Sequence, residues 1–346
     1  MTSSQPLAAL QVRLFALAGA VIAIDLAWFA LGHFQVDMPA YLRLAAMGAV
    51  MLALGLYYQI RRREPALAAM ALGAAFLILF SMAAGLLNYF LLTVAGPRID
   101  RALEAADRAL GFDWYATMLA MADRPLLNLF FFNIYNAVLP EIALVLVALA
   151  WSGRAEKVYR YCLAIGMGAV IAIGFWTLLP SLGAKSLYTL PPRVAAHMVL
   201  TVDTGYGKAL VALLRDGPGF ITPSDLRGLI AFPSYHGVLA LLVAFHAWPL
   251  RWLRWPLVAL NAAVLVTTPV QGGHHLVDVL GAFPVAALAV WIAGGSRAGA
   301  AKAASVVNKP PKFTTAPVPQ ALFRASAEQD GGEAAPAIKL KLSAAP

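Results

Sequence analysis

Phe232-Pro-Ser-Tyr-His236 and His274-x-x-x-Asp278 are the two stretches of this chain whose residue types and spacing suit group-transfer chemistry. Imidazole is the side chain that most readily exchanges a proton near neutral pH, and its unprotonated nitrogen is a nucleophile. His274 and Asp278 are four residues apart, so on a helix they share one face. A carboxylate there accepts the Nδ1 proton of His274, fixes the tautomer and leaves Nε2 free to attack. The neighbouring His275 has Val279 at the same spacing, which cannot orient a ring, so His274 is the expected nucleophile and His275 lines the site. His236, brought across the site, would protonate a leaving alkoxide and later activate an incoming hydroxyl or water. Pro233 suits the first turn of a helix, and Ser234 offers a hydroxyl at a helix start, where free N–H groups attract phosphate. Charge developing on phosphoryl oxygens needs cations, and Lys185, Arg193 and Arg227 lie in the long loop just upstream. Each element alone is weak, since His-x-x-x-Asp pairs also occur by chance, in acyltransferases and in metal sites. Their combination, in a chain with six histidines, points to histidine-based phosphoryl transfer.

These residues have to be carried by membrane helices. Of 346 residues, 61% are hydrophobic and 12% charged, against about 25% charged in soluble domains. The apolar residues form runs of about 20 or more, the length that crosses a hydrocarbon core of roughly 30 Å. Eight spans are read near 13–33, 42–60, 66–96, 126–152, 158–182, 229–249, 252–271 and 275–295, the third long enough to tilt. The first contains Asp25 and reads as a retained span rather than a signal peptide. Arg61-Arg-Arg63, the Arg154, Lys157 and Arg160 group, Arg251 and Arg254, and the tail residues Arg297, Lys302, Lys309 and Lys312 then fall on one side. The positive-inside rule makes that side cytoplasmic, with both termini on it. His236 and His274 are 38 residues apart, roughly 57 Å of helix or two crossings of about 28 Å. The chain that enters at His236 turns at Arg251–Arg254 and returns at the level it left, on the periplasmic or lumenal face of a plasma or inner membrane.

The fold class that follows is all-α: a polytopic transmembrane bundle of about eight spans, with an external interfacial helix and a disordered C-terminal tail. Ile99, Leu103, Ala106 and Leu110 recur at helical spacing among charges, which fits a helix lying in the interface with Trp114 and Tyr115 at headgroup level. The external loop 183–228 is expected to hold a short helix near 204–215, and Gly272-Gly273 a tight turn. The chain divides into spans one to three plus the external helix (1–125), a catalytic membrane core (126–296) and a basic, Ala- and Pro-rich tail (297–346) that buries too little apolar surface to order itself. The formal charge of +9 sits in short loops and the tail, where it orients the chain against anionic lipid; no nucleic-acid partner is expected. A single cysteine, Cys162, excludes an internal disulfide and a cysteine-based zinc site. Among polar residues within spans, Asn136 and Glu141 are candidates for headgroup contact, with Tyr235 beside His236, while bonding between helices is the plainer role.

Pro233-Ser-Tyr-His236 followed by His274-x-x-x-Asp278 resembles the second and third motifs of the type 2 phosphatidic acid phosphatase superfamily. The longer strings Gly228-Leu-Ile-Ala-Phe-Pro-Ser-Tyr-His236 and Gly273-His-His-Leu-Val-Asp-Val-Leu-Gly281 are more similar to its inositol phosphotransferase branch, which includes inositol phosphorylceramide synthases. The resemblance implies a phosphohistidine on His274 oriented by Asp278, acid–base work by His236, phosphate holding by Ser234, and no metal or cofactor. It implies a phospholipid donor and, as acceptor, a lipid alcohol of ceramide or diacylglycerol type, or water. Two departures stand out. The Ser-Arg that many phosphatases carry before the nucleophile is Thr267-Thr268 here, as in the transferase branch. The first motif, Lys, six residues, Arg-Pro, is matched loosely by Lys185 and Arg193, with seven residues between them and Val194 following. Transferase is the expected activity, with a lipid phosphate phosphatase as the alternative. A transporter or channel using Asp25 and Glu141 is a rival of another class, but matching halves with broken helices are not evident.

Overall fold

Backbone N–H and C=O groups find no partner in hydrocarbon, so apolar runs of this length must be helical. The computed structural model, which describes residues 4–294, is helical almost throughout. In chain order the helices are α1 (Ser4–Leu31), α2 (Met38–Tyr57), α3 (Pro65–Phe90), α4 (Asp100–Ala109), α5 (Trp114–Ala122), α6 (Pro125–Asn136), α7 (Val138–Trp151), α8 (Ala155–Leu178), α9 (Pro192–His197), α10 (Tyr206–Asp216), α11 (Tyr235–Ala247), α12 (Arg254–Gln271) and α13 (Leu276–Gly294). The described strands, β1 (Gln35–Val36) and β2 (Phe220–Ile221), pair in parallel and tie the loop before α11 to the α1–α2 connection. The class is all-α, as expected. The described residues 4–294 fall in one compact unit, and the expected tail disorder lies outside them.

Each expected span coincides with a helix or a pair of helices. Among the described residues six segments are long and apolar enough to cross a membrane: Leu7–Leu31, Met38–Arg62, Pro65–Val94, Pro125–Trp151, Ala155–Leu178 and Leu276–Gly294. The other two depart from the expectation. α11 has 13 residues, about 20 Å at 1.5 Å per residue, because residues 229–234 are not helical and Pro249 has no N–H to continue the helix past Trp248. α12 has 18 residues and carries Asn261, Thr267, Thr268 and Gln271 among its apolar positions.

α8 is the central post, packing against α1, α3, α7, α11 and α13. Lipid gives apolar helices little reason to prefer one another, so close approach through small residues matters. At Gly168 an added Cβ would lie 2.9 Å from Val238 Cγ1, so α11 approaches α8 where there is no side chain to resist it. The fourth crossing is broken between α6 and α7 at Ala137. Pro140 has no N–H for the Asn136 carbonyl four residues earlier, which loosens the ladder there.

α4 occupies the stretch expected to be helical, but its inward face is acidic. Asp100 and Asp107 are each 2% exposed, while Leu110 is 58% exposed. Trp114 is buried rather than at a headgroup surface, its Nε1–H donating to the Pro269 carbonyl at 2.8 Å; the last carbonyls of α12 have no partner in their own helix. α10 falls where the short loop helix was expected, and Gly273 takes φ +63 in the turn before α13.

Candidate active site

The start of α13 leaves backbone N–H groups without intrahelical partners. Asp278, in its first turn, reaches back to accept the His275 N–H at 2.8 Å, the return half of a capping box. The same oxygen is 3.2 Å from His274 Nδ1, and the Ala231 carbonyl is 3.1 Å from that nitrogen. A carbonyl only accepts, so the proton belongs on Nδ1 and the lone pair on Nε2. His274 stands just before the helix, not on it as the spacing suggested, yet the carboxylate meets it because Asp278 points back. Burial, with the Lys185 ammonium second, holds the His274 ring well below the usual imidazole range.

His236 is the second residue of α11. Its Nε2–H donates to the Tyr135 carbonyl at 2.9 Å, and its ring stacks on that of Tyr135, centroids 3.9 Å apart and planes at 11°. The break after Asn136 leaves that carbonyl turned to the histidine, and Nδ1 is the nitrogen that remains. Ser234 is the N-cap, its Oγ accepting the Gly237 N–H at 3.2 Å, and Pro233 precedes the cap instead of entering the first turn. The Ser234 hydroxyl is fully buried and off the cavity. This corrects the expectation that it faces phosphate: it completes its own helix.

Lys185 enters from the long loop between α8 and α11. Its Nζ donates to the Gly272 carbonyl at 2.8 Å, and its N–H to the Gly273 carbonyl at 3.3 Å. A Cβ at Gly273 would fall 2.7 Å from Lys185 Cδ, so the turn needs glycine both for its positive φ and for this approach. Burial pushes the ammonium down to about 8, against the pull of Asp278 and Asp100. Lys185 Nζ and Arg227 Cζ lie 5.5 and 5.0 Å from the centroid of the Tyr206 ring, which gathers the two cations.

These groups meet at one cavity of about 550 Å³. Its polar part is lined by Lys185, His236, His274, Asn136, Thr201, Tyr206 and Arg227. Its apolar walls come from Leu77, Phe80 and Ala84 of α3, Ile165, Ala169 and Ile173 of α8, and Leu139 and Leu239. Tyr235 also lines it, its hydroxyl donating to the Ile165 carbonyl at 3.2 Å. Asn136 donates to Thr201 Oγ1 at 2.7 Å, fastening the loop above.

Three candidates are elsewhere. Arg193 is 3.9 Å from Asp123, half exposed and off the cavity; it opens α9, which packs on α5. Glu141 is buried against Asn261, whose amide donates to it, away from the cavity. His275 does not line the site; its Nδ1 is 3.3 Å from Asp107 Oδ2. Thr267 and Thr268 bond the Val264 carbonyl through their hydroxyls at 2.9 and 2.7 Å. Among the described residues no group of three or more His, Cys, Asp or Glu could hold a metal ion.

The sequence reading passed over Asp100, Asp107, Tyr135, Thr201 and Tyr206. The two aspartates carried a signal, since a spacing of seven puts them on one helical face. The Tyr135 carbonyl carried only an indirect one in Pro140.

No curated protein and no solved structure matches the chain. A family model described as the PAP2 superfamily matches residues 101–292, from α4 into the last turn of α13. That is more than half of the chain and takes in His236, His274, Asp278 and Lys185 together. The chain belongs to the PAP2 superfamily, whose members are phosphatases and phosphotransferases.

Proposed function

We propose that the protein is a lipid phosphotransferase of the inositol phosphotransferase type, working through a phosphohistidine on His274. His274 Nε2 attacks the phosphorus of a phospholipid, the bond to the leaving oxygen breaks, and His236, entering as the imidazolium, gives that oxygen its Nδ1 proton. A lipid alcohol, ceramide- or diacylglycerol-like, then attacks the phosphohistidine, and His236 takes the proton back. Lys185 and Arg227 hold the phosphoryl oxygens, with the site on the non-cytoplasmic face. The observation that carries this reading is the junction of both rings and Lys185 with apolar walls in one cavity, while Asp278 and Ala231 hold the His274 proton away from Nε2. Thr267-Thr268 in place of a Ser-Arg pair favours the transferase branch over the phosphatases.

The test is product analysis with purified protein, a phospholipid labelled in its headgroup phosphate, and a lipid alcohol. A new labelled phospholipid is expected. Labelled water-soluble phosphate or phosphate ester alone would make water the acceptor and the protein a phosphatase.

Lys185 predicts the pH dependence. Its folded-state value is lowered to about 8, so the ammonium is present below that pH and lost above it. The value of kcat/KM, which reports the free enzyme, should fall by about tenfold per unit above pH 8, with the break in kcat displaced upward because bound phosphate favours the ammonium. Lys185→Arg should remove the break; a break that persists in that variant assigns it to another group.

A further inference from the structure

α4 does not touch the cavity, yet it grips both loops that feed it. Asp100 Oδ1 accepts from Ser181 Oγ at 2.9 Å, the Leu182 N–H at 2.8 Å and the Gly183 N–H at 2.9 Å, and Arg98 holds the other oxygen at 2.7 Å. Those donors are the residues leading into Lys185. Seven residues on, Asp107 accepts the Leu276 and Val277 N–H groups, each at 2.9 Å. It therefore caps α13 from another element, beside His275 and directly after His274. The two loops also meet at backbone distance: a Cβ on Gly183 would lie 2.5 Å from the Gly273 carbonyl.

Resting on the phosphotransferase reading, we propose that Asp100 and Asp107 are positioning residues which use α4 as a rigid spacer to set the distance between Lys185 and His274. Seven residues of helix hold the two carboxylates about 10 Å apart along its axis. One end fixes the loop that supplies the phosphate-holding cation and the other the turn that supplies the nucleophile. Neither carboxylate is in contact with substrate, so the effect is on alignment, where a displacement of about 1 Å lowers a rate by roughly 10²-fold.

Asp107→Asn keeps the shape of the side chain but sets an amide N–H against a backbone N–H. In purified full-length protein, kcat is expected to fall by about 10²-fold while KM for the donor phospholipid moves by less than about threefold. Orthovanadate, which mimics the transferring phosphoryl group, should bind more weakly by about the same factor as kcat/KM falls. Asp100→Asn, at the other end, carries the same expectation and decides the matter if Asp107→Asn does not fold. Folded variants that turn over and bind orthovanadate as wild type does would overturn the positioning role and leave the phosphotransferase reading standing. Wild-type protein that neither turns over phospholipid nor binds orthovanadate would overturn both.

Discussion

His274→Ala should lose phosphoryl transfer by at least about 10⁴-fold in kcat, the largest effect of any single substitution in this chain. The ring is 5% exposed, and Nδ1 is occupied by Ala231 and Asp278, so Nε2 is the atom offered to phosphorus. No side chain nearby can replace it. His275 faces Asp107 rather than the cavity, and the Nε2 of His236 is bonded to Tyr135. His274→Gln serves as a companion, because its amide can still donate to the Ala231 carbonyl and keep the turn folded. The measurement is trapping of labelled enzyme during turnover. Wild type should carry a label that is acid-labile and base-stable, and both variants should carry none. Label of that chemistry surviving in His274→Ala would remove the nucleophile assigned here.

The second large effect is expected at Asp278→Asn, with kcat lower by roughly 10²–10⁴-fold. Asp278 Oδ2 serves two donors, His274 Nδ1–H at 3.2 Å and the His275 N–H at 2.8 Å. A carboxamide oxygen in that place can still accept from both, but it lacks the full charge that raises the basicity of Nε2 and stabilises the ring as it becomes positive on forming the phosphohistidine. The Ala231 carbonyl still holds the Nδ1 proton at 3.1 Å, so the loss is smaller than for His274→Ala. Stability should hardly suffer, since Asp278 Oδ1 is buried without a hydrogen-bond partner among the described residues and a neutral group there relieves a buried charge. Kinetics on folded protein within about threefold of wild type would exclude the orienting role.

Much of this arrangement was legible before any coordinates because it follows from length. Thirty-eight residues suit a helix out and a helix back, so His236 and His274 are expected at one level, and the structure puts both on one cavity. The His274–Asp278 pairing was legible from spacing, although the turn at Gly273 and not a shared helical face brings it about. What escaped was whatever depends on a partner far along the chain. The inward face of α4 is acidic because loops near Gly183 and Leu276 present unpaired N–H groups to it, and an apolar periodicity cannot reveal that. Arg193 was legible as a cation, but its direction is set by α9 packing on α5. The Tyr135 carbonyl is main chain, which no residue type announces. α11 is shorter than its apolar run because such a run does not distinguish the irregular residues 229–234 from the helix that follows.

One wall of the cavity comes from Leu77, Phe80 and Ala84 of α3, which lie outside the stretch 101–292 that matches the family. On the proposed phosphotransferase reading, the atoms that make and break bonds come from one part of the chain, and some of the surface against which a lipid tail would lie comes from another. Substitutions along that helix would then retune which lipids are admitted while leaving the reacting nitrogens where they are, so selectivity and chemistry would be separately adjustable.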